Sequence, residues 1–127
     1  VTEQDLERVP PQDLLAERAV LGAMLSAKEA IADVTGFGLK GGEYYRPAHE
    51  TIHNTIVDLY AAGDPADPIT VGSELEKAGQ LVRCGGPGYL HGLIVDSPAA
   101  GNAEWYAQII REKSRLRRLV IALYQGL

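Results

Sequence analysis

The stretch that most constrains the fold lies near the C-terminal end, where Tyr106, Ile109 or Ile110, Lys113, Leu116, Val120 and Leu123 recur at three- and four-residue intervals. That spacing places them on one side of a helix of about five turns, preceded by Asn102, whose side chain suits an N-cap. A helix of this length exceeds what a small domain can cover. One end is therefore expected to project, as an arm of a helical hairpin or against another subunit. Lys113 interrupts the apolar line, and its methylene stem can follow the seam while the ammonium reaches water.

The rest of the chain reads as shorter helices separated by strong punctuation. Pro10-Pro11 closes an acidic lead-in, expected to be flexible over residues 1–12, and Asp13 suits the N-cap of a helix from about Leu14 to Ser26. Leu14, Leu21, Met24 and Leu25 supply its apolar face. Ser26 suits the cap of a second helix through Ala30, Ile31 and Val34, which Gly36 and Gly38 stop, leaving Lys40-Gly41-Gly42 as loop. Pro47 belongs in the first turn of the next helix, whose stripe is Ile52, Ile56, Leu59 and Tyr60 and whose end is Ala61-Ala62-Gly63. Turn-forming residues fill 63–68, after which Thr70 is expected to cap a helix carrying Val71, Leu75 and Ala78, closed by Gly79. Gly85-Gly86-Pro87-Gly88 then turns the chain into a small helix with Tyr89, Leu90, Leu93 and Ile94, ending near Asp96-Ser97-Pro98.

No stretch alternates at period two, so the expected fold is all-α, a compact orthogonal bundle of about six helices whose last member forms the first arm of a helical hairpin. One domain covers 13–127, with a head over about 13–98 and the long helix over about 102–125. A chain of 127 residues, 46% hydrophobic, can bury one modest core. Its net charge of −5 argues against a surface coated for nucleic acid. Cys84 is the only cysteine, which excludes an internal disulfide and makes a reducing, cytoplasmic setting the expectation. No run approaches the roughly 18 apolar residues of a bilayer span, so no membrane partner is expected. The residues Val1-Thr2-Glu3-Gln4-Asp5 lack the basic region and apolar core of a secretory signal.

Two segments look like chemistry. His49-Glu50-Thr51-Ile52-His53 is a literal H-E-x-x-H on a predicted helix, the pattern in which two histidines one turn apart bind zinc while the glutamate activates water. The third ligand of the longer motif is lacking, because Ile56 and Leu59 stand where it has glycine and histidine, and Glu74 or Glu76 could serve only by coincidence. A zinc hydrolase is thus an alternative, secondary to a reading in which both histidines partly cover the helix face beside Ile52 and Val57. Arg111, Lys113, Arg115, Arg117 and Arg118 concentrate five of the twelve Lys and Arg residues in eight positions. A small basic-helix DNA-binding module is the other alternative. Without interleaved aromatics the run suits a protein interface better. The glycine-rich turn at 85–88 is no phosphate loop, since G-x-x-x-x-G-K-[ST] occurs nowhere, and neither Cys84 nor any serine sits in a nucleophile's context. No catalytic, cofactor-binding or metal-ligating residue is assigned.

Several segments, in order and spacing over about residues 10–120, carry a more specific signal. They are Pro10-Pro11-Gln12-Asp13 leading to 16–25, then Tyr45-Arg46-Pro47-Ala48-His49, then Ile69-Thr70-Val71 with Glu74-Leu75. Gly85-Gly86 with Tyr89-Leu90 follows, then Pro98 with Ala100 and Asn102-Ala103, Tyr106-Ala107 with Ile109, Glu112-Lys113, and Leu116-Arg117-Arg118-Leu119. Together they resemble the N-terminal domain of the bacterial replicative DNA helicase family, the hexameric DnaB-type motors. The H-E-x-x-H match falls inside that family's Y-R-P-A-H helix, where the resemblance implies no metal.

The resemblance implies a non-catalytic helical head and hairpin, with the ATPase motor in a separate C-terminal domain absent from this chain. ATP and Mg, helicase activity and most DNA contact would belong to that motor in the parent protein. It implies self-association as dimers within a hexamer, docking of the C-terminal helicase-binding domain of primase, and a helicase loader as a further partner. By motif position Tyr89, Arg117 and Val120 would be primase-facing or hairpin residues. Tyr106, Ile109, Leu116, Val120 and Leu123 would form an apolar seam, open in a monomer and covered between arms or subunits. Three departures from the family stand out. The glycine-rich stretch 35–43 is expected to shorten the second helix, and Gly101 to loosen the start of the long helix by about 1 kcal/mol if it lies inside it. The chain is expected to stop at Gly126-Leu127 near the hairpin tip, without the second arm.

Overall fold

A computed structural model of the chain describes residues 9–97 and 100–126. The described residues form six α-helices and two short 3-10 turns, with no strand. The helices are α1 (Leu14–Ser26), α2 (Lys28–Phe37), α3 (Pro47–Ala61), α4 (Pro68–Lys77), α5 (Gly86–Val95) and α6 (Ala103–Gln125). Eight residues of the expected lead-in, and Pro98 at the expected end of the head, lie outside the described residues.

The Asp13 carboxylate accepts the Ala16 N–H at 2.9 Å and starts α1 as its composition requires. This helix is the centre of the bundle: Ala16, Glu17 and every residue from Ala19 to Leu25 are buried. Helices α2, α3, α5 and α6 all pack on it. A helix apolar on nearly all sides belongs in an interior, and here that leaves Leu14 only half-buried while Leu21 and Met24 are enclosed. Gly22 sits where α1 crosses α5, with no room for a methyl group, because a Cβ there would overlap the Leu93 carbonyl oxygen.

Several local expectations are corrected. Ser26 does not cap α2; its hydroxyl donates to the Gly22 carbonyl at 2.7 Å, and extended Ala27 makes the break between the helices. Helix α2 is not stopped by Gly36. It passes through Gly36 to Phe37 and stops at Gly38, whose φ of +87° allows the left-handed closure. The loop at Lys40-Gly41-Gly42 holds a 3-10 turn over Gly41–Glu43. Helix α4 is capped by Asp67, whose carboxylate accepts from Thr70 N–H at 2.8 Å, so Thr70 is the third helical residue and not the cap. Gly101 lies in a 3-10 turn, Ala100–Asn102, ahead of α6, and the cost expected for a glycine inside the helix does not arise. Asn102 holds the N-cap position of α6 without a side-chain hydrogen bond.

Helix α6 has two halves. Ala103, Ala107, Ile110 and Ser114 are buried, at the spacing of one helical face against α1 and α2. None of the described residues after Ser114 is buried. Over residues 115–125 the helix runs on for about 17 Å, with Arg117, Val120 and Tyr124 half-buried along it and the other residues exposed.

Candidate functional site

Three features of the fold could carry function: a polar network inside the head, a pair of arginine clamps at the root of the arm, and the arm itself. The network begins at Glu17, which is 1% exposed on an otherwise apolar helix. Its carboxylate accepts the Tyr45 N–H at 2.6 Å and the Arg46 N–H at 3.4 Å, and lies 2.7 Å from His49 Nδ1. Arg46, the N-cap of α3, has no capping side chain of its own. Glu17 places a negative charge at that helix start from across the core.

His49 Nε2 in turn lies 2.6 Å from the Tyr89 hydroxyl, which also accepts from Arg46 Nη1 at 3.4 Å. The chain of bonds therefore runs from the half-buried Tyr89 on α5, through α3, to α1. Burial pushes the Tyr89 phenol up, against the charges of Arg46 and Arg18. One turn on, His53 Nδ1 accepts from the Tyr44 hydroxyl at 2.9 Å, and Tyr44 is held protonated by burial and by the nearby Glu17 and Glu43 charges.

The H-E-x-x-H motif thus has a structural use. His49 and His53 are 0% and 3% exposed, so they are core residues and not partial covers of a surface face. Tyr60, expected in the stripe of α3, is exposed, and the two histidines occupy that face with Ile52 and Ile56. Both ring nitrogens of His49 and Nδ1 of His53 already have hydrogen-bond partners. Among the described residues no group of three or more His, Cys, Asp or Glu is placed to hold a metal ion.

Burial lowers the His53 pKa from 6.5 to about 4, outweighing a hydrogen bond to the Leu39 backbone and the Glu43 charge that favour the proton. The unfolded chain binds that proton near pH 6.5 and the folded chain does not, so stability contributed by neutral His53 is present above pH 6.5. It falls as pH drops toward 4, by about 3 kcal/mol in all, and levels off below. Urea titrations across this range should show the slope in the parent chain and a flatter one in His53→Gln. Equal slopes would mean that His53 is not the titrating group.

The clamps involve two arginines of the basic run. Arg111 donates from Nε to Glu43 Oε1 at 2.8 Å and from Nη2 to Glu43 Oε2 at 3.2 Å, and it also reaches the carbonyls of Phe37 and Gly38 that end α2. Its guanidinium stacks 4.3 Å from the Phe37 ring centre. Burial favours the protonated form of Glu43, but hydrogen bonds from Arg111 and the Lys40 amide, with the charges of Arg111 and Arg118, hold its pKa below the usual carboxylate value. Arg117 donates to the carbonyls of Pro11 at 2.9 Å and Glu43 at 2.6 Å and lies over the Tyr45 ring. Two of the five charges in the run therefore face the head; of the others, Arg115 and Arg118 are exposed and Lys113 is half-buried.

The residues expected to meet partners are not one continuous seam. Tyr106 and Ile109 are half-buried beside Leu15 in a shallow cavity between α1 and α6. Leu116 and Leu123 are 40% and 51% exposed on the projecting half, with Val120 half-buried between them. Leu119, 56% exposed, joins them at i+3 and completes the strip. Arg117 and Val120 also border an apolar groove of about 300 Å³ with Pro10, Pro11, Tyr45 and Tyr124. Tyr89 stands apart on α5, bonded to His49 and Arg46 at the start of α3.

Sequence reading missed Glu17, Tyr44 and Glu43, and held Arg111 only as a member of the basic run. Glu17 had a signal: it shares helical spacing with Val20, Leu21 and Met24, so a carboxylate fell on the apolar face and required partners.

An all-α domain with a hydrogen-bonded polar interior and one projecting amphipathic helix is the class that this geometry defines. The chain belongs to the DnaB-like helicase N terminal domain family, whose model matches residues 9–112. It is 54% identical over 119 residues to a replicative DNA helicase DnaB of Mycobacterium leprae (strain TN), covering 94% of this chain and 20% of that protein. A replicative DNA helicase DnaB of Geobacillus stearothermophilus is 41% identical, over 90% of this chain and 25% of the relative. The crystal structure of the N-terminal domain of DnaB helicase from Mycobacterium tuberculosis superposes with a TM-score of 0.89 at 53% identity, covering 92% of this chain and 83% of that one. The chain thus spans about a fifth to a quarter of the length of the curated relatives it matches.

Proposed function

We propose that this chain is the non-catalytic N-terminal domain of a replicative DNA helicase, which associates subunits in a hexamer and docks the C-terminal helicase-binding domain of primase. ATP and Mg would act in the motor domain of the parent protein, which would also make most of the DNA contact. The observation that carries the reading is the strip of Leu116, Leu119, Val120 and Leu123 on the half of α6 where none of the described residues is buried. Exposed apolar area of this kind gains free energy when a partner covers it. Tyr89 and Arg117 are the polar residues assigned to the same role.

Calorimetric titration of the chain with the primase domain, run beside a light-scattering mass, tests both halves of the reading. Saturable binding supports docking, and a mass above that of the monomer supports assembly. Leu123→Asp should leave helical circular dichroism unchanged while raising the dissociation constant for whichever association occurs by about tenfold or more. Unaltered association in that variant would remove the strip from the interface.

A further inference from the structure

The basic run is only partly accounted for by the clamps. Beside α6 lies an open cleft of about 530 Å³ lined by Lys40, Glu43, Arg111, Ser114, Arg117 and Arg118 among others. Four cations surround one carboxylate there, in a chain whose net charge is −5. Glu43 is matched by Arg111 in a two-pronged pair. Among the described residues Lys40, Arg117 and Arg118 have no carboxylate in ion-pair contact. Arg117 uses two of its N–H donors on backbone carbonyls, which fixes its position and leaves three for other acceptors.

Ser114 supplies a second, independent observation. It is 5% exposed, it borders the cleft, and among the described residues its hydroxyl makes no hydrogen bond. The other helical hydroxyls behave differently: Ser26, Thr51 and Thr55 each donate to the carbonyl four residues back. Since Arg18 Nε is the one enclosed side-chain polar atom without a partner among the described residues, the Ser114 hydroxyl is reachable from the cleft, where beside three unmatched cations it suits an anion that accepts from all of them.

We propose that this cleft is a binding site for a phosphate-bearing ligand of nucleotide size, with Lys40, Arg117 and Arg118 meeting the phosphate charge and the Ser114 hydroxyl donating to a phosphate oxygen. The volume exceeds what a lone phosphate fills and falls in the range of small-molecule sites. The one aromatic side chain on the cleft, Tyr44, is buried with its hydroxyl bonded to His53, so no ring is offered for base stacking. Affinity therefore rests on phosphate and shows no base preference. The same chemistry is present in a free nucleotide and in a unit of a single-stranded nucleic acid.

Backbone amide NMR of the 127-residue chain, titrated at about 50 mM salt, distinguishes these sources. The probes are inorganic phosphate, ADP, a short oligothymidylate and a glutamate-rich peptide. ADP or the oligonucleotide should shift the amides of 38–44 and 114–118 saturably, with inorganic phosphate weaker. If ADP suffices the source is a free nucleotide, and if only the oligonucleotide binds it is a strand; either result sustains the site. Lys40→Glu and Arg118→Glu, both at exposed positions, should each weaken binding by about tenfold, and Ser114→Ala by about threefold. Oligonucleotide affinity should fall with salt at a log–log slope of about −2. The proposal is overturned if no probe shifts these amides, if the charge reversals leave affinity unchanged, or if the glutamate peptide competes equally with the nucleotide.

Discussion

Glu17→Ala is expected to destabilise the domain by about 3–5 kcal/mol, the largest effect of any single side-chain truncation in the head. The carboxylate is enclosed and lies at the meeting point of α1, α3 and, through His49 and Tyr89, α5. Its removal leaves the Tyr45 amide and the His49 ring without an acceptor in a space that water does not reach, and adds a cavity. A loss of this size is a large fraction of the 5–15 kcal/mol typical of a domain, so thermal unfolding should move down by about 10 °C or more. Glu17→Gln retains one acceptor oxygen but presents an amide N–H₂ to donors, and should fall between the two. A shift of less than about 1 kcal/mol for the alanine variant would show that the network does not hold the helices.

Gly22→Ala should cost about 2–3 kcal/mol, against the usual sign for glycine replacement in a helix. The added methyl meets the Leu93 carbonyl oxygen and lies 2.7 Å from Ser97 Cβ. The first of these is backbone and cannot rotate away, so α1 and α5 must separate and loosen the burial of Leu90 and Leu93. Gly36→Ala provides the contrast. Nothing lies within 4 Å of a Cβ built there, inside α2. That variant should gain up to about 1 kcal/mol from the stiffer unfolded chain. Denaturant midpoints moving in the same direction for both variants would contradict the close crossing.

What could be read from the residues follows the range of the interactions concerned. The Asp13 cap and the Pro47 start depend on neighbours within one or two turns, and each stands where the pattern puts it. At the start of α4 two neighbouring caps compete, and Asp67-Pro68, a cap with a first-turn proline, is stronger than Thr70. Ser26 misled for a related reason: a serine can satisfy its hydroxyl backward on its own helix as readily as forward on the next. The polar interior was not legible as a network. Glu17 and Tyr89 are separated by 72 positions and meet only through His49, an encounter that no local spacing encodes. The three- and four-residue spacing along α6 describes a helix, yet it says nothing of where the head ends, a limit that Ser114 marks only in three dimensions.

Helix α6 has neither glycine nor proline between Ala103 and Gln125, and its buried and projecting halves share one backbone. Without an internal joint, it is a lever whose fulcrum lies at the level of Ser114. A sideways load on Leu123 arrives as torque on the Arg111–Glu43 and Arg117–Glu43 bonds and, through Glu43 and Tyr45, at the root of α3. Tilting the tip and straining the interior of the head are then a single mechanical event.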